Sequence, residues 1–522
     1  MDRPSHDIRP LTIPALVDLG PTRFGDAEAI VDGDIRVTFP QLRELMLDTA
    51  AAFVAAGIQR GDRVAIWAPN SVRWIVACIG LQAAGAVLVP LNTRFKATEA
   101  DYILRRTRAK IVVAFGDFLG LSAVEMLDGL ELPDLRRIVR IDGDGADGWD
   151  AFLAGATPEA RAEAALRLAA VALDDVSDIM FTSGTTGNPK GAVTTHRQTV
   201  ATAYLWAKAT TLRQGDRFLV LWPFFHCAGY KAGWVVNLAM GATTLPEPTL
   251  DPERLLAKVE REKVTVLPGP PTLFQTLLTS PRPAHALDSV RVSVTGASSV
   301  APALIDAIRD ELGIPNVVTG YGLTETCGTV SMSSPTDSAL VLTTTSGKPI
   351  EGIDVRIVDD AGQVLPQGEA GEILVRGMNV MQGYLDDPEA TRAAFTEDGW
   401  LLTGDIGLID AEGNLKITDR KKEMFIVGGF NCYPAEIEKI LLTHPAILFA
   451  AVTGMPDERM GEVGVAHVVP KPGTTIDEAA LIAWSRERMA NFKVPRRVVV
   501  TDALPVTATG KVQKFKLTAP DA

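Results

Sequence analysis

Cysteine is scarce: Cys78, Cys227, Cys327 and Cys432 are the only four in 522 residues, each about 100 or more positions from the next. No CxxC pair and no Cys/His cluster forms, so neither a disulfide framework nor a zinc site is expected, and the thiols read as buried small apolar groups. Long apolar runs are also missing. Nothing approaches the about 18 consecutive apolar residues of a membrane span, so no integral membrane segment is expected. Basic charge is in deficit, with 51 Lys and Arg against 64 Asp and Glu for a net charge of -13. Without a basic block or aromatic-basic interleaving, the chain offers little to a phosphate backbone and no nucleic-acid partner is expected. Met1 to Pro14 mixes Asp2, Arg3, His6, Asp7 and Arg9 with prolines. That is neither a basic leader nor an apolar signal core, which makes the cytoplasm the expected location. No repeat and no low-complexity tract is found, although Ala154–Ala172 is Ala-rich and reads as a helical connector.

What is present is ordinary globular composition, 47% hydrophobic and 22% charged. A single core stops growing near ~250–300 residues, so two or more domains are expected. Short β-rich apolar runs alternate with helix-like stretches: Val64–Trp67, then Ser71 to Gly85, then Val87–Val89, then Ala109–Phe115. Further strand-like runs, Phe218–Trp222, Val264–Leu267, Val290–Val294 and Val317–Thr319, end in small or polar residues or proline. This is α/β patterning, in which sites form at strand ends. Beyond Gly407 the texture changes. Strand-like Leu415–Thr418 leads into the charged run Asp419–Glu423, followed by a helix from Pro434 to about Leu442 and strands at Leu448–Thr453 and Val463–Val469. A helix from about Ile476 to Met489 and a strand at Arg497–Val500 complete the unit. The expected architecture is α/β: a large N-terminal domain of layered sheets and helices over 1–419, and a small mobile α+β lid over 420–522.

The strongest local signal is Phe181-Thr182-Ser183-Gly184-Thr185-Thr186-Gly187-Asn188-Pro189-Lys190-Gly191, directly after the strand-like Val176–Met180. Glycines, hydroxyls and a lysine suit a loop that wraps triphosphate oxygens with N–H and O–H donors. A solvated Gly/Ser/Thr turn accounts for the composition equally well. It is not a Walker A loop, because Gly184 and Gly187 do not frame GxxxxGK[ST].

The loop resembles the phosphate-binding signature of the adenylate-forming superfamily, and further motifs follow in that superfamily's order. Tyr321-Gly322-Leu323-Thr324-Glu325 resembles the second nucleotide motif, which implies Thr324 on the α-phosphate and Glu325 on magnesium. Gly296-Ala297-Ser298 is similar to the adenine-side loop, and Leu402-Thr403-Gly404-Asp405 to the segment whose Asp takes the ribose hydroxyls, assisted by Arg420 of Asp419-Arg420. Gly428-Gly429-Phe430-Asn431 and Tyr433-Pro434-Ala435-Glu436 resemble the CoA channel, and Leu504–Lys511 the terminal motif with the catalytic lysine. The likeness runs from about Leu16 to Leu517. It implies ATP, Mg²⁺ and coenzyme A, with Lys511 and Lys190 neutralising charge while a carboxylate attacks the α-phosphorus. It also implies that the small domain rotates for the thioester step, about a hinge at Lys422.

Phe224-Phe225-His226-Cys227-Ala228-Gly229-Tyr230 resembles the acyl-CoA ligase form of the pocket motif, with His226 bordering the substrate carboxylate. No carboxylate occurs between Trp222 and Ala239, so an α-amino acid would leave an unpaired cation there. The expected pocket residues are His226, Tyr230, Lys231, Trp234 and Gly322. If Ala228–Leu238 is helical, Lys231 and Trp234 share a face, and a desolvated ammonium there would reward a ketone or second carboxylate on the acid. The alternative is that its head reaches solvent or a neighbouring acid. Phe224-Phe225-His226 followed by Gly229-Tyr230-Lys231-Ala232-Gly233, together with Thr265–Thr272, are similar to the bacterial ligases that activate the indanedione propionate of steroid-ring breakdown; a medium-chain acid is the other expectation. Loading of a carrier-protein pantetheine instead of free CoA stays open, as does a homodimer.

Overall fold

The computed structural model describes residues 11–182, 189–283, 285–295, 302–420, 423–427, 430–432, 434–457, 459–489, 491–507 and 512–517. Its centre is a seven-stranded sheet among these residues, in the order Gly383–Tyr384, Lys190–Thr195, Val176–Thr182, Val87–Pro90, Arg63–Trp67, Ile111–Ala114, Arg137–Arg140. The five strands from Val176–Thr182 outward are parallel, whereas Lys190–Thr195 and Gly383–Tyr384 add antiparallel to one edge. Parallel strands are covered on both faces, which is why Val64–Trp67, Val87–Val89 and Ile111–Ala114 read as unbroken apolar runs.

The helix Val72–Ala83 shows how local sequence sets an element. Ser71 caps it by accepting the Trp74 N–H at 3.2 Å, and the chain leaves through Gly85 at φ +82. All but one of its residues are buried, with Trp74 inserted into the central core against Phe224, Tyr230 and Trp234. Truncating such a Trp costs about 3–5 kcal/mol.

A second sheet orders Ile35–Thr38, Glu28–Asp32, Thr243–Pro246 and Arg217–Val220, beside the parallel pair Val292–Val294 and Asn316–Val318. The run Val264–Leu267, expected as a strand, forms only a short bridging segment. Val266 bridges Phe218 and Val292, and the Leu267 and Gly269 N–H groups donate to the Val292 and Val294 carbonyls at 3.0 and 2.9 Å. Pro268, which has no N–H, offers none to the Phe218 side. An antiparallel sheet of Ile353–Val358, Gly371–Gly377, Leu401–Ile409 and Leu415–Arg420 comes next. After Arg420 the chain enters a sheet ordered Phe430–Cys432, Phe425–Val427, Gly461–Pro470, Ile447–Asp457, with Arg497–Val500 on Gly461–Pro470. This small C-terminal α+β domain has its own core of Phe425, Ile437, Leu441, Val452, Val468 and Leu481. All four cysteines are free and buried.

Candidate active site

The phosphate-loop candidate joins two strands of the central sheet. Thr182 faces Lys190 across their antiparallel pair, and the Thr182 hydroxyl donates to the Lys190 carbonyl at 3.4 Å. Ser183, Gly184, Thr185, Thr186 and Gly187 lie outside the described residues, as do Gly296, Ala297, Ser298, Lys422, Gly428, Gly429, Tyr433 and Lys511. Phe430 is placed by its strand alone.

Thr324 and Glu325 sit on a 3-10 turn, Thr324–Thr326, whose hydroxyl at Thr326 accepts the Leu323 N–H at 3.0 Å. Gly322 precedes the turn where the chain folds back on itself: a Cβ there would overlap the backbone of Gly328 and Thr329. Glu325 is half-buried, accepts the Met381 N–H on its carbonyl at 2.8 Å, and receives the Tyr384 hydroxyl on Oε1 at 2.9 Å. The Lys190 ammonium stands over the Tyr384 ring, 5.1 Å from its centroid. Tyr321 donates to Asp405 Oδ2 at 2.6 Å, and Asp405 is the cross-strand partner of Arg420. The expected phosphate, metal and ribose residues on Thr182, Lys190, Tyr321, Glu325 and Asp405 thus occupy linked elements.

The pocket turn is held by Asn70, which sequence reasoning missed. Its amide donates to the carbonyls of Val220, Trp222 and Glu247 at 3.2, 2.9 and 3.2 Å, and its oxygen accepts the Phe224 N–H at 2.8 Å. His226 is half-buried, and burial pulls its pKa down to about 4. Its Nδ1 accepts the Ala228 N–H at 3.2 Å, which assigns the proton of the neutral ring to Nε2 and leaves a donor for a carboxylate.

The rest of the turn departs from expectation. In place of one regular helix over Ala228–Leu238, a short α-turn, Cys227–Gly229, leads into a π-helix, Tyr230–Val235, and then an α-turn, Val236–Met240. Tyr230 and Trp234 are 0% exposed and Lys231 1%, so none of the three expected pocket side chains presents a surface to a substrate. The Lys231 ammonium pairs with Asp178 Oδ1 at 3.0 Å and donates to the Thr194 hydroxyl at 2.7 Å and to Cys327 Sγ at 3.5 Å. Burial alone would lower its pKa, but the charge of Asp178 outweighs it and the pKa is raised. The neighbouring-acid alternative therefore holds, and the ammonium offered to a substrate ketone is corrected: its three donors are taken within the protein. The absence of a carboxylate between Trp222 and Ala239 stands, and Asp178, from a strand outside that span, is paired with Lys231.

The family model for AMP-binding enzymes matches residues 19–385, and that for the AMP-binding enzyme C-terminal domain matches 436–511. The chain belongs to the AMP-binding enzyme family. It is 48% identical over 514 residues to a 3-[(3aS,4S,7aS)-7a-methyl-1,5-dioxo-octahydro-1H-inden-4-yl]propanoyl:CoA ligase of Mycobacterium tuberculosis, covering 98% of this chain and 99% of that protein. A mitochondrial medium-chain acyl-CoA ligase of Mus musculus is 33% identical, over 97% of this chain and 87% of that one. Among solved structures, ATP-bound MatB from Rhodopseudomonas palustris superposes with a TM-score of 0.87 at 30% identity, over 97% and 98% of the two chains. An anthranilate CoA ligase in complex with anthranoyl-AMP gives 0.87 at 28%, over 98% and 97%.

This member of the family is an AMP-forming acid–CoA ligase, with ATP and CoA as co-substrates and Mg²⁺ as the metal. The residues fit that ion. Among those described, no group of three or more His, Cys, Asp or Glu could cage a metal, while Glu325 presents one anchored carboxylate. Mg²⁺ is characteristically held by one or two carboxylates plus substrate phosphates.

Proposed function

We propose that the acid is a compact ring-bearing propionate of the kind named for the Mycobacterium tuberculosis relative. The observation that carries this is identity of 48% and 47% to two ligases of that printed name, each over 97% or more of both chains. Structure contributes the frame: an Asn70-held pocket turn, a neutral His226, and a wall of Trp74, Phe224, Tyr230 and Trp234.

In this reading His226 donates from Nε2 to the acid's carboxylate and orients it. Thr182 to Gly187 and Lys190 hold the triphosphate, with Thr324 on the α-phosphate and Tyr321 and Gly322 beside the nucleotide. Gly296–Ala297–Ser298 face the adenine, and Asp405 with Arg420 takes the ribose hydroxyls. Glu325 would hold Mg²⁺, which supplies charge neutralisation at the phosphates when bound. Lys511 stabilises the charge that develops as pyrophosphate leaves. The C-terminal domain, taken as 420–522, then turns about Lys422 so that Gly428, Gly429, Phe430 and Tyr433 line the CoA channel. Among the described residues no helix is long and apolar enough to cross a membrane, and we place the enzyme in the cytoplasm.

The test is incubation with ATP, Mg²⁺, CoA and a panel of acids, with mass-spectrometric detection of acyl-CoA. The ring-bearing diketo propionate should give the highest kcat/KM. A higher value for a straight-chain acid of equal carbon number would overturn the substrate assignment, and thioester formed only on a pantetheine carrier would replace CoA as acceptor.

A further inference from the structure

Tyr384 is absent from the motifs that pointed to the site, yet it touches two of their members at once. Its hydroxyl donates to Glu325 Oε1 at 2.9 Å, and its ring face lies 5.1 Å under the Lys190 ammonium. Its own backbone is fixed from several sides. Gly383 and Tyr384 pair with Val193 and Ala192 on the strand that leaves the phosphate loop, and the Leu385 N–H reaches the Gly191 carbonyl at 2.8 Å. The Met381 N–H binds Glu325's carbonyl at 2.8 Å, and Arg106 binds the carbonyls of Leu385 and Asp386 at 3.2 and 2.8 Å. Gly383 at φ +145 lies where a Cβ would meet the Thr391 side chain of the following helix, whose hydroxyl accepts the Tyr384 N–H at 2.9 Å. A half-buried phenol stitched in this way is a fixed reference point between a carboxylate and a cation.

We propose that Tyr384 is a positioning residue for the adenylation step, its hydroxyl orienting the metal-binding carboxylate of Glu325 and its ring seating Lys190 for the triphosphate. The inference rests on the reading of Glu325 as the Mg²⁺ ligand. One carboxylate oxygen is occupied by the phenol, which leaves the other to face the ion and fixes the plane of the group. The cation–π contact holds Lys190 without neutralising it, so the charge remains available when phosphate arrives.

The experiment titrates the full-length enzyme with Mn²⁺–ATP and follows water-proton relaxation, alongside ATP binding in EDTA. Tyr384→Phe keeps the ring and removes the hydroxyl. It should weaken Mn²⁺–ATP binding about ten-fold while metal-free ATP binding stays at the wild-type value. Tyr384→Leu removes both functions and should also weaken metal-free ATP binding, by about three-fold or more. Glu325→Gln is the reference for the underlying reading. If it weakens Mn²⁺–ATP binding but Tyr384→Phe does not, the role of Tyr384 is overturned and Glu325 stands as ligand. If Glu325→Gln changes nothing, the ligand assignment fails and takes the inference with it.

Discussion

Replacing Lys231 by Met should be one of the most damaging single changes in this protein, because of what stays behind. Asp178 is 0% exposed, and its carboxylate receives Ser177 Oγ at 2.6 Å, Thr194 Oγ1 at 2.7 Å and the Lys231 ammonium at 3.0 Å. Met fills the methylene volume of lysine, so cavity cost is small and the change isolates the charge. Two short neutral hydrogen bonds do not offset a desolvated carboxylate, and breaking a buried pair from one side costs about 3–5 kcal/mol. Urea unfolding followed by tryptophan fluorescence should show that loss for Lys231→Met. The double variant Lys231→Met with Asp178→Asn should recover about half or more, since an amide carries no charge to strand. Because the ammonium's donors are taken by Asp178, Thr194 and Cys327, kcat/KM should fall by the same factor for keto acids and for plain acids of equal size. A loss under about 1 kcal/mol, or a selective loss on keto acids, would refute the reasoning and return Lys231 to the substrate pocket.

Gly322→Ala should cost about 1–3 kcal/mol and slow adenylation at least ten-fold, because the new Cβ meets the Gly328–Thr329 backbone and displaces the Glu325 turn; pyrophosphate exchange and thermal melting check it. Buried His196 has its pKa lowered to about 4 and accepts the Ile13 N–H at 3.3 Å, so its contribution is whole above about 6.5 and is lost as pH falls toward 4. His196→Asn keeps an acceptor without titrating. The stability gap between wild type and this variant should therefore narrow by about 3 kcal/mol between pH 7 and pH 4, as read by urea titrations. Lys511→Ala should abolish adenylate formation yet spare thioester formation from supplied acyl-adenylate, read by single-turnover assays of each half-reaction. Lys422→Pro should do the reverse, by fixing φ at the proposed hinge.

Local chemistry was legible wherever it is written locally. Ser71 and Gly85 bracketed a helix that the structure places at Val72–Ala83, and the apolar runs of the central sheet appeared where parallel strands need them. Val264–Leu267 looked the same on paper, but whether an apolar run extends into a ladder depends on neighbours that sequence does not display. The pocket turn was harder. A π-turn carries no residue signature that separates it from an α-turn, and helical spacing weighs only partners on the same element. Lys231 finds its acid on a strand 53 residues earlier in the chain. One hint was available: Asp178 is a charge inside the strand Val176–Thr182, a place carboxylates avoid unless paired. Tyr384 and Asn70 gave no comparable sign, because their roles exist only once distant strands have met.

Asn70 has a consequence for how such a pocket diversifies. All four of its contacts go to main-chain atoms of Val220, Trp222, Phe224 and Glu247, so the clamp is indifferent to which side chains those positions carry. Replacements at Trp222, Phe225 or Ala228 should change the side chains around this turn while its main chain, and with it the proposed station of His226, stays in place. Acid preference in this architecture should therefore drift by repainting a rigid wall, with little need for insertions or loop rebuilding, and the chemistry downstream need not be retuned each time the acid changes.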